Sequence, residues 1–359
     1  MAEPEPPVPG ALPKRAFAAE ARAARAMGAV KAAWWSANGW AMRRIARRRD
    51  AGEAPAFAPK AAPPPAGYVR AAWAEAFAKD AADVAAGLFP ATEAVPSDPV
   101  APFRRAFDVL GDARAVEARR RRKGGTEVRD HAEAAAYPAY YRQNFHYQTD
   151  GWFTAASAAR YEAQVEALFS GAAGPMRRRA LSLLARAWKG RDHRGLRIVD
   201  VACGSGAFLT DLRGAFPRAR VAGLDLSHAY ALEARARAGA PVAQGAAERL
   251  PFAGESLDAI ACVYLFHELP LRVRPLVAAE FARTLKPGGF LAFADSVQAS
   301  DEPRLARMLE AFPAFFHEPY YDSYQSTDLD ALFEAAGLER VAADQAFLTK
   351  AVLYRKPPG

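Results

Sequence analysis

The sequence predicts an α/β protein: a seven-stranded, mainly parallel sheet with an antiparallel last strand, preceded by a mostly helical region. Three observations carry this expectation. After Arg191, five short apolar runs ("LRIVDVAC", "RARVAGLDL", "APVAQG", "LDAIACVYLF" and "GGFLAFADSV") alternate with segments of helical texture. That is the pattern of parallel strands covered on both faces by crossover helices. A final pair, about Glu339 to Asp344 and Ala346 to Lys356, has too short a connection for a parallel crossover and so includes an antiparallel edge. Before Arg191 the chain is rich in helix formers instead.

The elements read in order as follows. Residues 1–65 form a basic arm, Pro/Ala-rich at 1–13 and 51–65 and irregular there, because proline denies the backbone a donor and helical freedom. Between those stretches Met27, Val30, Trp34, Ala41 and Ile45 fall on one stripe, with Arg43, Arg44 and Arg47 off it, as in an amphipathic helix. Residues 66–190 form a helical cap or substrate domain. A helix runs from Tyr68 to about Leu88, a second covers Pro102 to Val109, and a long helical stretch from about Ala155 to Trp188 is divided by Gly171 and Gly174. The run "RRRRKGG", Arg119 to Gly125, reads as a solvated helix end, since like charges in a row sit in water. Residues 191–359 hold the sheet.

Composition narrows the function. The 359 residues are 51% hydrophobic and 25% charged, ordinary for a globular protein with a sizeable core. No run approaches the ~18 apolar residues that span a bilayer, and "MAEPEPPVPG" lacks a signal's basic and apolar regions, so the expected location is cytoplasmic. Cys203 and Cys262 each sit in an apolar run and read as buried thiols; neither has metal-ligand neighbours, and no metal site is expected. Of the net charge of +8, residues 1–60 carry eleven Lys/Arg against five Asp/Glu. Anionic partners, such as a membrane surface met peripherally, therefore concern the arm.

The chemistry is concentrated at the ends of the apolar runs. "VDVACGSGAF" places Gly204 and Gly206 in a strand-to-helix loop where backbone can approach a ligand; Leu209 stands where a dinucleotide fingerprint needs a third glycine. Asp225 ends the second run nineteen residues after Gly206, where a carboxylate can accept from ribose hydroxyls or cap the helix beginning near Ser227. "QGAAERLPF", "CVYLFHELP" and "EFARTLKPGGFLAFAD" follow in order. With these motifs in this order, Arg191 to Lys356 resembles the class I S-adenosylmethionine-dependent methyltransferases. The similarity is to the ubiquinone/menaquinone C-methyltransferase-like small-molecule branch (methyltransferase type 11).

The resemblance implies a Rossmann-like seven-stranded methyltransferase sheet and S-adenosylmethionine as cofactor. It implies that Asp200, Gly204 and Gly206 surround the methionine moiety, Asp225 holds the ribose and Leu226 lies on the adenine face. Ala246, Ala247 and Glu248 would lie along the adenine edge. Where the family often has an aspartate for the adenine amino group this chain has Ala246, which leaves that contact to backbone groups of Ala247 and Glu248. "FHEL" puts His267 and Glu268 at the carboxyl edge of the sheet, either able to act as a base, His267 being better matched to neutral pH. His146 is a third candidate.

Two aromatic segments remain. "YPAYYRQNFHYQTDGWF", Tyr137 to Phe153, packs seven aromatic rings without a sustained helical or strand period, and "FPAFFHEPYYDSY", Phe312 to Tyr324, repeats the mixture of rings, histidine and acid. Small-molecule enzymes of the family cover the donor site with elements before the first strand and after the fifth. These segments are therefore expected to form a lid, lined by Tyr140, Tyr141, Phe145, Tyr147, Trp152, His317, Tyr320 and Tyr321; the alternative is a hydrophobic seam against the sheet. The expected reaction is methyl transfer to a small hydrophobic or aromatic, quinone-like acceptor. The alternatives are an RNA or protein methyltransferase using the basic arm, and a non-catalytic donor-binding assembly factor. "YLFHELP" in place of an Asn/Asp-Pro-Pro-aromatic tetrad argues against nucleic-acid adenine as acceptor.

Overall fold

A computed structural model describes residues 26, 28–30, 32–37, 57–91, 112 and 115–359. Most of the basic arm and the helix expected over Pro102 to Val109 lie outside the described residues. The strands are β1 (Arg197–Val201), β2 (Arg220–Asp225), β3 (Val242–Gln244), β4 (Leu257–Val263), β5 (Leu285–Ser296), β6 (Glu339–Ala346) and β7 (Thr349–Arg355), in the spatial order β3-β2-β1-β4-β5-β7-β6. The first five pair in parallel, while β7 pairs antiparallel with both β5 and β6. The last strand is thus antiparallel, as expected, but it does not form the edge. The hairpin at Phe347 folds β7 back into the slot beside β5 and leaves β6, with exposed Glu339 and Arg340, outermost.

The period-two alternation of side chains sorts the strands' apolar residues onto two faces. Ile198, Ala259, Ala261, Ala292 and Leu353 pack with Leu181, Leu184, Trp188, Phe208 and Leu212. Val199, Val201, Ile260, Cys262, Leu291 and Phe293 pack on the other face with Val277, Phe281 and Phe333. Both cysteines are buried, and burial drives their thiols well above the usual range.

Before the sheet lie α1 (Tyr68–Ala85), α2 (Ala155–Leu168) and α3 (Ala173–Ala187); between and after the strands come α4 (Ala207–Ala215), α5 (His228–Ala238), α6 (Arg274–Thr284), α7 (Ala306–Phe315), α8 (Tyr321–Gln325) and α9 (Leu329–Ala335). The break between α2 and α3 falls at Gly171, with φ of 86°; Gly174 lies inside α3. Helix α3 reads as basic in sequence, yet Arg177, Arg178 and Arg179 are all buried. Arg178 Nε and Nη2 donate to Asp80 of α1 at 2.7 Å each, and Arg179 Nη1 donates to Asp83 at 2.7 Å. Such pairs fix orientation, because losing one partner strands a buried charge.

Two expectations are corrected. Of "RRRRKGG", Arg119 is 7% exposed: its Nη1 donates to Tyr147 O at 2.6 Å and its Nε to Glu127 at 2.9 Å. Arg120 lies over the Phe315 ring. Arg119 therefore clamps the aromatic segment, because the loop brings Tyr147 O and Glu127 within reach, while Arg121, Arg122 and Lys123 are exposed at the helix end as expected. In the amino-terminal helical piece, Ala32 and Trp35 face inward, Trp35 against Ala163 and Ala167 of α2, while Val30 is exposed. Of the expected stripe's described members, Trp34 packs at this cluster and Val30 does not, so the buried face is shifted by Ala32 and Trp35 and still includes Trp34.

Candidate functional site

A cavity with about 1050 Å³ of empty space, its mouth included, opens at the carboxyl ends of β1, β2 and β4. The loop after β1 forms its floor. Gly204 has φ of 54° and lines the cavity; Gly206 has φ of 82°, and a Cβ there would come within 2.7 Å of Ala234 Cα, so glycine lets the loop pack against α5. Ala202 and Tyr264, also lining residues, hold positive φ values of 59° and 60° without being glycine, a strain that clusters at functional sites.

Asp200 is buried, and its Oδ2 meets no hydrogen-bond donor. Burial and the nearby Asp225 charge push its carboxyl well above the usual range, against the pull of Arg177. Asp225 Oδ2 accepts from Gly204 N and its Oδ1 from Ser227 N, each at 2.8 Å. Burial raises it to about 6 in spite of these bonds. Ser227 itself caps α5, its Oγ accepting from Tyr230 N at 3.2 Å. Leu226, Ala247 and Glu248 line the cavity and Ala246 does not; Glu248 Oε1 accepts from Tyr140 O–H at 2.7 Å.

The aromatic segment roofs the cavity without regular structure: short 3₁₀ turns with His146, Tyr147 and Asp150 at positive φ. Asn144 pins it, accepting from Val128 N at 3.0 Å and donating to Gln148 O at 2.9 Å. Tyr140, Tyr141, Phe145 and Trp152 line the cavity. Tyr141, Phe145 and Trp152 also belong to a buried cluster with Tyr230, and Phe145 stacks on Trp152 with ring centroids 4.4 Å apart. Three of the rings that line the roof therefore also form the hydrophobic seam. The other four rings of the expected set lie outside the lining. Tyr147 packs on His317, His317 Nε2 is 2.9 Å from the Gln143 amide, Tyr320 O–H donates to Tyr140 O at 3.3 Å, and Tyr321 Oη is 2.8 Å from Ser296 Oγ. Tyr147, His317 and Tyr320 thus brace the roof segment, while Tyr321 is tied to β5 instead.

Of the three candidate bases, Glu268 lines the cavity and the two histidines flank it from behind. His267 Nδ1 is 2.6 Å from Asp295 Oδ1, and Asp295 also accepts from Phe266 N at 2.8 Å. Burial works against a charge on His267, but the Asp295 carboxylate outweighs it and lifts the imidazole to about 9. His146, whose burial and two histidine neighbours push it down to about 3, lies between Glu268 and Glu318. Burial raises both Glu268 and Glu318 above the usual carboxylate range.

Sequence reasoning missed Tyr161, Glu162 and Val165 of α2, Arg177 of α3, and Tyr264, all lining residues. Arg177 pairs with Glu162, its Nη2 donating to Glu162 Oε1 at 2.5 Å, and its Nε meets no acceptor. Nothing in a run of three arginines marks the first as a cavity residue. Glu318 lay within the second aromatic segment, whose acid was the available signal. The lining thus carries buried polar atoms without protein partners (Asp200 Oδ2, Glu248 Oε2, Trp152 Nε1 and Arg177 Nε), beside a loop whose backbone a ligand can reach. Such atoms are open to hydrogen bonds from a ligand or from water. S-adenosylmethionine fits: an ammonium, a carboxylate, a ribose diol and an adenine all find complementary groups here.

Sheet order, glycine loop and acidic strand ends define a class I S-adenosylmethionine-dependent methyltransferase fold. Residues 198–289 match the family described as "Methyltransferase domain". Among curated relatives it is 39% identical over 104 residues to a phthiotriol/phenolphthiotriol dimycocerosates methyltransferase of Mycobacterium leprae, covering 28% of this chain and 38% of that one. It is 34% identical over 125 residues to a fatty-acid O-methyltransferase of Mycolicibacterium smegmatis (34% and 45%). A ubiquinone/menaquinone biosynthesis C-methyltransferase of Syntrophotalea carbinolica is 33% identical over 121 residues (32% and 50%). The matches span half or less of these relatives' lengths.

Proposed function

We propose that the protein transfers the methyl group of S-adenosylmethionine to a small, hydrophobic or aromatic acceptor such as a quinone-type or polycyclic ring. The observation that carries this reading is one cavity joining Asp200, Gly204 and Asp225 to Glu268 beneath an aromatic roof. The relatives act, by their names, on phthiotriols, fatty acids and quinones. S-adenosylmethionine supplies an electrophilic methyl on a sulfonium. Asp200 would hold its ammonium, Arg177 its carboxylate and Asp225 its ribose diol, with Leu226 and Ala247 beside the adenine and Glu248 at its edge. The roof's part is to exclude water and hold the acceptor in line, the main demand of a displacement at methyl. Glu268 is the better-placed base, since it faces the cavity while His267 is committed to Asp295.

Among the described residues no helix is long and apolar enough to cross a membrane. The excess of Lys/Arg in residues 1–60 fits peripheral attraction to an anionic surface where apolar acceptors partition. The test is incubation with methyl-labelled S-adenosylmethionine and an extract of the source cells depleted of the endogenous activity, followed by fractionation. Label is expected in the lipid or small-molecule fraction. Label in protein or RNA would recast the arm as a substrate clamp and overturn the reading.

A further inference from the structure

Glu318 is a buried carboxyl near Glu268 that the proposed reaction leaves unused. Its side chain is fully enclosed, and neither carboxyl oxygen makes a hydrogen bond. Its Oε1 lies 3.1 Å from His146 Nδ1, and the opposite nitrogen, Nε2, lies 3.9 Å from Glu268 Oε1. The imidazole is fixed there by a positive φ of 55°, by its backbone N donating to His317 O at 3.2 Å, and by edge contacts with Phe312 and Phe316. One neutral ring thus separates two buried carboxyls.

The charged groups facing Glu268 are His267, Glu318, Asp295 and Asp225, with the phenols of Tyr141, Tyr161 and Tyr230 on the roof side. His267 is the cation of that set, and Asp295 holds it at 2.6 Å; Arg274 stands behind Asp295. His267 compensates both Glu268 and Glu318 but is shared with Asp295, so burial outweighs it, and two such carboxyls do not ionise independently.

We propose that Glu318 is a positioning residue for Glu268, strengthening it as a proton acceptor, so that the atom methylated in this site is one that carries a proton, a phenolic or enolic hydroxyl. This rests on the methyl-transfer reading above. In the transfer the hydroxyl oxygen bonds to the methyl carbon, the carbon–sulfur bond breaks with its electron pair left on sulfur, and the hydroxyl proton passes to a Glu268 oxygen. The closer the carboxyl's proton affinity lies to that of the hydroxyl, the smaller the uphill part of the transfer. A tertiary amine or a free carboxylate, which loses no proton on methylation, would have no use for this arrangement.

The test needs no turnover. Affinities of the full chain for S-adenosylmethionine and for S-adenosylhomocysteine are measured by calorimetry from pH 5 to 9. The two ligands differ only in the methyl group and the sulfonium charge, so titrations remote from the sulfur cancel in their ratio, and the step that Asp225 adds at about 6 is left in place by a change at Glu318. Ionised Glu268 favours the sulfonium, so the ratio should rise about tenfold as pH rises through the Glu268 titration. In Glu318→Gln one negative neighbour is gone, Glu268 ionises more readily, and the midpoint should move down by about one pH unit. Should that variant not fold, infrared titration of Glu268→Gln against the wild type reads the coupling from the other side, the Glu318 carboxyl band moving to lower pH. A flat ratio in the wild type, or an unmoved midpoint or band in the variant, overturns the proposal. Failure of both ligands to bind would instead overturn the methyl-transfer reading.

Discussion

The cavity has two halves built by different means. On the donor side, the loops after β1, β2 and β3 present backbone and short side chains at fixed offsets from strand ends. On the roof side, the surface is assembled from large side chains of residues 140–152, 161–165, 177 and 264–269, brought together from separate segments. In the donor half the shape belongs to the main chain. In the roof half, the residues that would touch an acceptor are also core residues, Tyr141, Phe145 and Trp152 being buried in one cluster. Function and stability should therefore separate on the donor side and fail together on the roof side.

The largest effect should come from Gly206→Ala. At φ of 82° with Ala234 Cα and O at 2.7 and 2.9 Å from an added Cβ, the loop must leave its place against α5. Backbone has no flexible end to give way, so donor affinity should fall by about a hundredfold or more, read by titration calorimetry. Gly204→Ala is the control within the same loop. Its φ is 54° and the nearest atom to an added Cβ is a Tyr161 ring carbon at 3.8 Å, so only a strain of roughly 1 kcal/mol is expected. Equal losses in the two variants would break the picture of a backbone-defined donor site.

Phe145→Ala comes next and tests the other half. The ring is 1% exposed and stacked on Trp152 with planes 5° apart. Removing it leaves a cavity in a packed cluster and should cost about 3–4 kcal/mol in urea unfolding, with any loss of turnover following that loss. Lost turnover at unchanged stability would show that the roof is a separable lid.

The same contrast explains what could be read in advance. Strands β1, β2, β4 and β5 were legible because parallel strands buried on both faces are nearly continuous apolar runs, and Gly204, Gly206 and Asp225 because chemistry at strand ends recurs at fixed spacing. The place of β7 was not, since a hairpin's length shows that two strands are antiparallel and not which of them joins the sheet. Arg119 and Arg177 were misread or missed for a common reason. A charge run looks solvated until the fold supplies Tyr147 O and Glu127, or Glu162, as partners. The pairing of Glu318 with His146, and of His146 with Glu268, joins residues 172 and 122 positions apart, a juxtaposition with no local pattern to betray it.

The smallest effect should come where the halves meet. Tyr140 reaches from the roof to donate to Glu248 Oε1 at 2.7 Å, while Glu248 Oε2 has no protein partner. Tyr140→Phe keeps the ring and removes one hydrogen bond to a charged acceptor, so stability should change by roughly 1 kcal/mol. Glu248 is then less firmly held, and with Glu248 at the adenine edge, as proposed, donor affinity should fall about three- to tenfold. Because adenine is common to S-adenosylmethionine and S-adenosylhomocysteine, both ligands should weaken alike and their ratio at each pH should stay as in the wild type. Glu318→Gln should do the reverse, moving the ratio's pH midpoint. A changed ratio in Tyr140→Phe would mean that the roof's contact with Glu248 also governs the sulfonium end, and the division between the halves would have to be redrawn there.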